Sequence, residues 1–206
     1  MQTNVHGTAL APSLLPATRD RTLAEAALVL VGTVILVISA KISVPFFPVP
    51  MTLQTLAVMA IAAAYGMRLG TMTVVAYLAE GFVGLPVFTA TPPAAAGPLY
   101  FLGPTGGFLA GFILLALIVG YAADRGWDRS FVRLFGAMIA ADVVVFILGF
   151  AWLALFAQAG GHTGIGFAGA WRYGVMPFLL GDLLKIALAA ALVPASWGLL
   201  GGRTQG

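Results

Sequence analysis

Residues 22–40 have the sequence TLAEAALVLVGTVILVISA, an apolar run between Arg21 and Lys41 that contains one charged side chain, Glu25. The hydrocarbon core of a bilayer is about 30 Å thick and is crossed by a helix of about 20 apolar residues. This stretch is therefore predicted to be a membrane-spanning helix, and it decides the fold class.

Five further apolar runs follow along the chain. They cover residues 51–66, 69–84, 105–123, 132–157 and 173–198. Over the whole chain 61% of residues are hydrophobic and 8% are charged, against roughly one quarter charged residues in soluble domains. We expect an all-α integral membrane protein with a six-transmembrane-helix bundle. The bundle forms a single membrane domain over residues 22–200, between a polar cytoplasmic tail at 1–21 and a C-terminal tail at 201–206.

The basic residues indicate how this bundle faces. One side of the predicted membrane holds Arg19, Arg21, Arg68, Arg125, Arg129, Arg133 and Arg203. The other side holds Lys41 and Arg172, and Lys185 lies within the sixth run. Because cytoplasmic loops carry an excess of lysine and arginine, both termini are predicted to be cytoplasmic. Residues 41–50, 85–104 and 158–172 then form external loops.

The three external loops differ in composition. Residues 41–50, KISVPFFPVP, contain three prolines, whose fixed φ angles predict a stiff and extended segment. Residues 85–104 are uncharged and apolar, with Pro92 and Pro93 at the middle, which favours a lid or plug folded over the bundle. Residues 158–172 are rich in glycine and are expected to be flexible.

Charged side chains inside the predicted spans are rare, because each costs at least about 2.5–3.5 kcal/mol at the bilayer centre. Asp182 and Lys185 lie three residues apart on one face of the sixth helix. They form either a self-satisfied ion pair or a site for a polar ligand, and the ligand is favoured because a hydrophobic pair would often be as stable. Asp142 in the fifth span is either protonated or paired across helices, and is a further candidate. Glu25 is explained by an ion pair with Arg21.

Polar residues of two other helices are expected near the same level. Gln54 lies near the outer end of the second helix, and Tyr77 and Glu80 lie in the outer half of the third. Together with Asp182 and Lys185 they predict an outward-facing pocket for a small amphipathic molecule. Six aromatic residues at this level form either its walls or the aromatic belt of the membrane interface: Phe46, Phe47, Phe88, Tyr100, Trp171 and Tyr173.

The motifs do not support an enzymatic function. The sequence has no cysteine and no GxSxG, HExxH or Walker-type motif, and its histidines are His6 in the tail and His162 in a loop. Thiolate metal sites and cysteine nucleophiles are excluded. The ten basic and seven acidic residues indicate no nucleic-acid partner. Energised transport would need ATPase partners, because the chain has no ATP-binding motif.

Four separated motifs occur in a characteristic order. They are VPFFPVPMTLQTL at 44–56, YLAEG followed by GLPVF between 77 and 88, GPTGGF at 103–108, and GDLLK at 181–185. In order and spacing they resemble the BioY family, the biotin-binding S components of energy-coupling factor (ECF) transporters. The resemblance covers roughly residues 22–200.

The resemblance implies a six-helix protein of a bacterial inner (plasma) membrane that captures biotin with high affinity from outside. It implies no cofactor beyond this ligand. Asp182 and Lys185 would hold polar parts of biotin, and the external loops would act as lids. Gln54, Tyr77 and Glu80 are supporting candidates. Thr105 is another, and it could equally cap the fourth helix.

The resemblance also implies partners, namely an ECF module of a transmembrane coupling protein and two ATPases. S components commonly dock through small residues spaced four apart on the first helix. Residues 24–40 contain no Ala-xxx-Ala motif, which leaves the docking mode open and makes a homo-oligomer an option. Two alternative functions stay open on the sequence. One is a structural or assembly protein in which Asp182 and Lys185 only fix helix packing, and the other is a proton-coupled transporter using Asp142 and Glu80.

Overall fold

The computed structural model describes residues 9–13, 21–91, 96–159 and 161–201. Its α-helices are α1 Leu10–Ser13, α2 Arg21–Lys41, α3 Gln54–Phe82, α4 Pro98–Leu102, α5 Gly106–Asp124, α6 Phe131–Leu155, α7 Gly166–Ala170 and α8 Leu179–Gly201. A 3-10 turn spans Trp127–Arg129 and a π-helical turn spans Trp171–Val175. Two short antiparallel ribbons pair β1 Ser43–Val44 with β2 Met51–Thr52, and β3 Gln158–Ala159 with β4 His162–Thr163.

The helices are those of a membrane protein. Among the described residues, five helices are long and apolar enough to cross a membrane: α2, α3, α5, α6 and most of α8. The predicted all-α membrane fold class is confirmed. Most of the two predicted tails, at 1–8, 14–20 and 202–206, lies outside the described residues, as do Pro92 and Pro93 of the second external loop.

Helix α3 is a hairpin of two antiparallel arms rather than one rod. Gly66 has φ 78° and ψ 178°, a left-handed conformation that favours glycine. The side-chain amide of Gln54 lies 2.7 Å from the hydroxyl of Tyr77, whereas a straight helix would separate these residues by about 34 Å. The arms, α3a (54–65) and α3b (67–82), follow the division between the second and third apolar runs. The number of helices that cross the membrane stays a prediction.

Small residues allow the hairpin turn to pack tightly. A Cβ on Gly70 would lie 2.9 Å from the Cα of Ala62 on the other arm, and one on Gly120 of α5 would lie 2.5 Å from the Cα of Met67. The backbone N–H of Met67 also donates to the carboxylate of Asp124 at 3.0 Å. The arms of α3 therefore form the centre of the bundle, with α5 against them, α6 against α5, and α2 on the outside of α3.

Several basic residues lie together at the hairpin turn. Glu25 accepts a hydrogen bond from Arg21 at 3.0 Å and pairs with Arg68 at 3.5 Å. Asp124 reaches the same turn, so Arg125, the next residue, belongs to this end of the bundle as well. This clustering follows the predicted sidedness, while the orientation in the membrane stays a prediction.

Some predicted boundaries and loop conformations are wrong. The second run was expected to be helical from residue 51, but residues 51–52 pair with 43–44, so the loop at 41–50 is a β-hairpin and not an extended segment. The regular sixth helix begins at Leu179 and not at residue 173, because the π-helical turn comes first. In the glycine-rich loop, the N–H of Ile165 donates to the carbonyl of Leu153 at 3.0 Å, which joins the loop to the end of α6. The flexibility of this loop stays a prediction.

Candidate functional site

A cavity opens at the end of the bundle opposite the Gly66 turn. The empty space within it is about 590 Å³, a figure that includes open solvent at its mouth. The beginnings of α3a, α5 and α8, the middle of α6, the β1–β2 hairpin and the loop after α3b surround it. Its walls are largely apolar and include Val49, Phe88, Phe108, Phe112, Val145 and Phe178.

Asp182 and Lys185 place one charge of each sign in this apolar wall. The ammonium of Lys185 donates to Oδ1 of Asp182 at 2.7 Å, and the side chains of Lys185 and Asp182 are only 10% and 8% exposed, respectively. Asp182 lies in the first turn of α8, where the positive end of the helix dipole stabilises a carboxylate. Both side chains line the cavity, so the pair is largely buried and borders the space that a ligand could occupy.

Gln54 is a third polar residue of the cavity wall, and its position is fixed from behind. Its side-chain amide donates to the hydroxyl of Tyr77 at 2.7 Å, and that hydroxyl donates to the carbonyl of Val87 at 3.2 Å. Tyr77 is fully buried and does not itself line the cavity. The two arms of α3 and the loop after them therefore cooperate to orient one amide.

Thr105 lines the cavity from the beginning of α5. It occupies the N-cap position, but its side chain makes no capping hydrogen bond, so the alternative of a capping role is not supported. Nearby, Tyr100 donates to the carbonyl of Thr89 at 2.9 Å and stacks on Phe88, with ring centroids 4.7 Å apart. Burial raises the pKa of Tyr100, so its hydroxyl stays a donor.

Asp142 and Glu80, the two other candidate site residues, do not line the cavity. Asp142 is 6% exposed, and its Oδ1 has no hydrogen-bond partner among the described residues. It lies one turn before Val145, which does line the cavity, so it is beside the site. Glu80 is partly buried on α3b and does not reach the cavity. The structure therefore brings Gln54, Thr105, Asp182 and Lys185 together, with Tyr77 and Asp142 behind them.

The aromatic candidates divide into two groups. Phe88 and Tyr100 line the cavity, whereas Phe46, Phe47, Trp171 and Tyr173 are exposed and do not line it. Their place in an aromatic belt stays a prediction. Sequence reasoning missed further wall residues on α5, α6 and before α8: Phe108, Phe112, Phe146 and Phe178. The helical period starting at Thr105 would have found Phe108 and Phe112, which lie on the same face.

Known proteins are similar to this chain in sequence and in fold. The family model described as the BioY family matches residues 10–202. The biotin transporter BioY of Thermotoga maritima is 34% identical over 160 residues, which cover 78% of this chain and 88% of that protein. The biotin transporter BioY of Rhizobium etli is 35% identical over 158 residues, covering 73% and 79%. A crystal structure of the S-component for biotin from an ECF-type ABC transporter has a similar fold, with TM-score 0.71, 22% identity, and coverage of 93% of this chain and 96% of that one.

Proposed function

Because this chain belongs to the BioY family, we propose that it is a high-affinity biotin-binding subunit of an uptake transporter, with its site in the cavity described above. Family membership confirms the interpretation as a transport or binding protein rather than an enzyme. Together with the long apolar helices, it also confirms a multi-pass membrane location.

The observation that carries the proposal is the Asp182–Lys185 pair in the wall of an apolar cavity. A buried ion pair is often no more stable than two apolar side chains of similar size, so stability alone does not explain it. Biotin has ureido N–H donors, a ureido carbonyl and a carboxylate at the end of a carbon chain. We propose that Asp182 accepts from a ureido N–H and that Lys185 donates to an oxygen of biotin.

The remaining wall suits the rest of such a molecule. Gln54 and Thr105 add neutral hydrogen-bonding groups, and Tyr77 holds Gln54 in place. Phenylalanine side chains from α5, α6 and the segment before α8 provide apolar surface for a ring system and an aliphatic chain. Binding of an amphipathic molecule in this kind of site combines burial of apolar area with a few directed polar contacts.

The proposed membrane arrangement has six crossing helices, with each arm of α3 as one of them. Both termini are then cytoplasmic, and the cavity opens outward. The basic cluster at the opposite end of the bundle, including Arg21 and Arg68, supports this orientation. Release of biotin inward is proposed to need an ECF module of a coupling protein and two ATPases, with self-association as the alternative.

Titration calorimetry on the detergent-purified protein tests the proposal. We expect saturable binding of biotin and none of thiamine or riboflavin. Asp182→Asn should abolish measurable binding, because the amide has the size of the carboxylate but lacks the negative charge that is proposed to accept from the ureido N–H. Glu25→Gln is the matched control, a carboxylate change at the other end of the bundle that should bind normally. Absence of biotin binding by the folded wild type would contradict the proposal and favour a structural role for the pair.

Asp142 keeps one alternative open. Its carboxylate oxygen, which has no hydrogen-bond partner in the described part of the chain, is the kind of group that a proton-coupled transporter would use. That alternative predicts uptake by cells that collapses when the proton gradient is dissipated while ATP is maintained. Uptake that instead follows ATP would contradict it.

A further inference from the structure

The ammonium of Lys41, at the end of α2, is surrounded by oxygens of a distant loop. It donates to the backbone carbonyls of Pro86 and Phe88 at 2.7 Å each, and it also contacts the carbonyl of Thr91. The hydroxyl of Thr91 is 3.3 Å away. A lysine ammonium has three N–H donors, so this one loop can satisfy all of them.

The loop at 86–91 is one wall of the cavity. Phe88 and Thr89 line the cavity, and Phe88 is only 1% exposed. The ring of Phe88 packs edge-on against Tyr77, with centroids 5.3 Å apart, and stacks on Tyr100. Gly81 makes room for it, because a Cβ there would lie 2.1 Å from the ring. Apolar packing of the Phe88 ring thus holds the loop on one side, and Lys41 holds its backbone.

The local conformational preferences of its residues do not by themselves explain the backbone of this loop. Ala90 has φ 57°, in the left-handed region that a residue with a Cβ disfavours. The hydroxyl of Thr91 closes the turn by donating to the carbonyl of Phe88 at 2.6 Å. A strained turn of this kind persists when its surroundings fix it. The positive charge of Lys41 also draws together carbonyl oxygens that would otherwise repel one another.

The partners of Lys41 differ from those of an ordinary basic residue at a helix end. Lysine in the last turn of a helix commonly interacts with the last carbonyls of the same helix. The oxygens around Lys41 belong instead to residues 45 to 50 positions further along the chain. The contact therefore joins the outermost helix, α2, to the wall of the cavity.

We propose that Lys41 is a positioning residue of the ligand site: its ammonium fixes loop 86–91 over the cavity and thereby sets how slowly the ligand leaves. The inference rests on the proposed function, because it concerns release of biotin. Lys41 itself does not line the cavity, so its effect passes through the backbone of Phe88 and Thr89.

Dissociation of radiolabelled biotin from the purified protein, chased with excess unlabelled biotin, measures this effect. Lys41→Met keeps an unbranched side chain of about the length of the lysine stem and removes the ammonium and its charge. We expect the dissociation rate to rise roughly 10- to 100-fold, because hydrogen bonds to a charged group are the stronger ones. The melting temperature should change little, since the apolar packing of Phe88 remains. Arg172→Met is the matched control: Arg172 lies over the ring of Tyr173, with its guanidinium carbon 5.6 Å from the ring centroid, and its loss should leave the rate unchanged.

Chemical rescue makes the test independent of how the methionine variant folds. The sequence has no cysteine, so K41C can be labelled at that position alone. Aminoethyl methanethiosulfonate restores an ammonium on a side chain slightly longer than lysine, and propyl methanethiosulfonate adds a neutral group of matched length. Slow dissociation restored by the cationic label only is the expected result. Equal dissociation rates with both labels would overturn the proposal, as would a wild-type rate in Lys41→Met. Either result would leave the proposed function standing, whereas a wild type that fails to bind biotin would remove that function itself.

Discussion

The two ends of the bundle use charged residues in opposite ways. At the turn end, defined by Gly66, Glu25 pairs with Arg21 and Arg68, whose side chains are 50% and 73% exposed. At the cavity end, Asp182 and Lys185 form a pair that is almost fully buried. The Arg21–Glu25 and Asp182–Lys185 pairs both have a close sequence spacing on one helix. Their surroundings distinguish them, since exposed pairs contribute little to stability and the buried pair faces a cavity.

The largest expected effect comes from replacing the cavity-end pair by apolar residues. In the double variant Asp182→Leu with Lys185→Met, no unpaired charge is left, so the melting temperature should stay unchanged or rise. Biotin affinity should fall at least about 1,000-fold, because two or more directed hydrogen bonds to charged groups are lost. Calorimetry and thermal unfolding of the same samples measure both quantities.

The turn-end pair provides the control for this variant. Arg21→Met with Glu25→Leu makes the same kind of change four residues apart on α2, where the side chain of Arg21 is 50% exposed and that of Glu25 is 13% exposed. Biotin affinity should be unchanged, with a stability loss of at most about 1 kcal/mol. If the cavity-end double variant kept its biotin affinity, Asp182 and Lys185 would have only a structural role, as the turn-end pair does. The distinction between the two ends of the bundle would then be wrong.

The sequence predicts the features that depend on whether a residue prefers water or lipid. Membrane-spanning runs follow from hydropathy, and Asp182 and Lys185 stand out because charge in such a run is rare. Cavity walls do not stand out in this way. A phenylalanine that faces lipid and one that faces the cavity, such as Phe146, are chemically alike in the sequence.

Contacts between segments that are distant along the chain also could not be predicted from the sequence. Lys41 was expected in the first external loop but is the last residue of α2, and its carbonyl partners, about one quarter of the chain away, carry no side-chain signal. The one-residue turn at Gly66 was expected only as a short connection near Arg68. Its tightness depends on Gly70 and Gly120, whose roles appear only when the helices are packed.

The next largest expected effect is on stability, and it tests whether the tight turn at the turn end stabilises the fold. Gly66→Ala places a Cβ at φ 78° and 2.2 Å from Oδ1 of Asp124. We expect a loss of stability of about 2–4 kcal/mol, since a strained backbone and a close contact add. Biotin affinity of the remaining folded protein should be nearly normal, because the cavity is at the other end.

Gly136→Ala is the control for Gly66→Ala. A Cβ at Gly136 would meet no atom within 4 Å, and the residue lies in α6, where alanine favours the helix. Its stability should be equal to or slightly above that of the wild type in thermal unfolding. Equal melting temperatures for the two alanine variants would contradict the left-handed turn at Gly66.

The smallest expected effect concerns Asp128, a turn-end carboxylate that is fully buried. Burial raises the pKa of Asp128, and the proximity of Asp124 acts in the same direction. The hydrogen bond from the indole of Trp197, at 2.7 Å, and the nearby Arg129 oppose the rise. The folded protein therefore holds a proton more tightly than the unfolded chain does. Stability should decrease as the pH rises from the ordinary aspartate value near 3.9 through the raised folded value.

Asp128→Asn separates this titration from the rest of the protein. The amide oxygen can still accept from Trp197, while the cost of burying a charge disappears. At neutral pH the variant should melt about 2–4 °C higher than the wild type, and its melting temperature should depend less on pH below neutrality. Biotin affinity should not change, which contrasts with Asp182→Asn at the cavity end. If Asp128→Asn instead lowered the melting temperature at neutral pH, the carboxylate would be stabilising as an anion, through Arg129, and the sign of its contribution would be reversed.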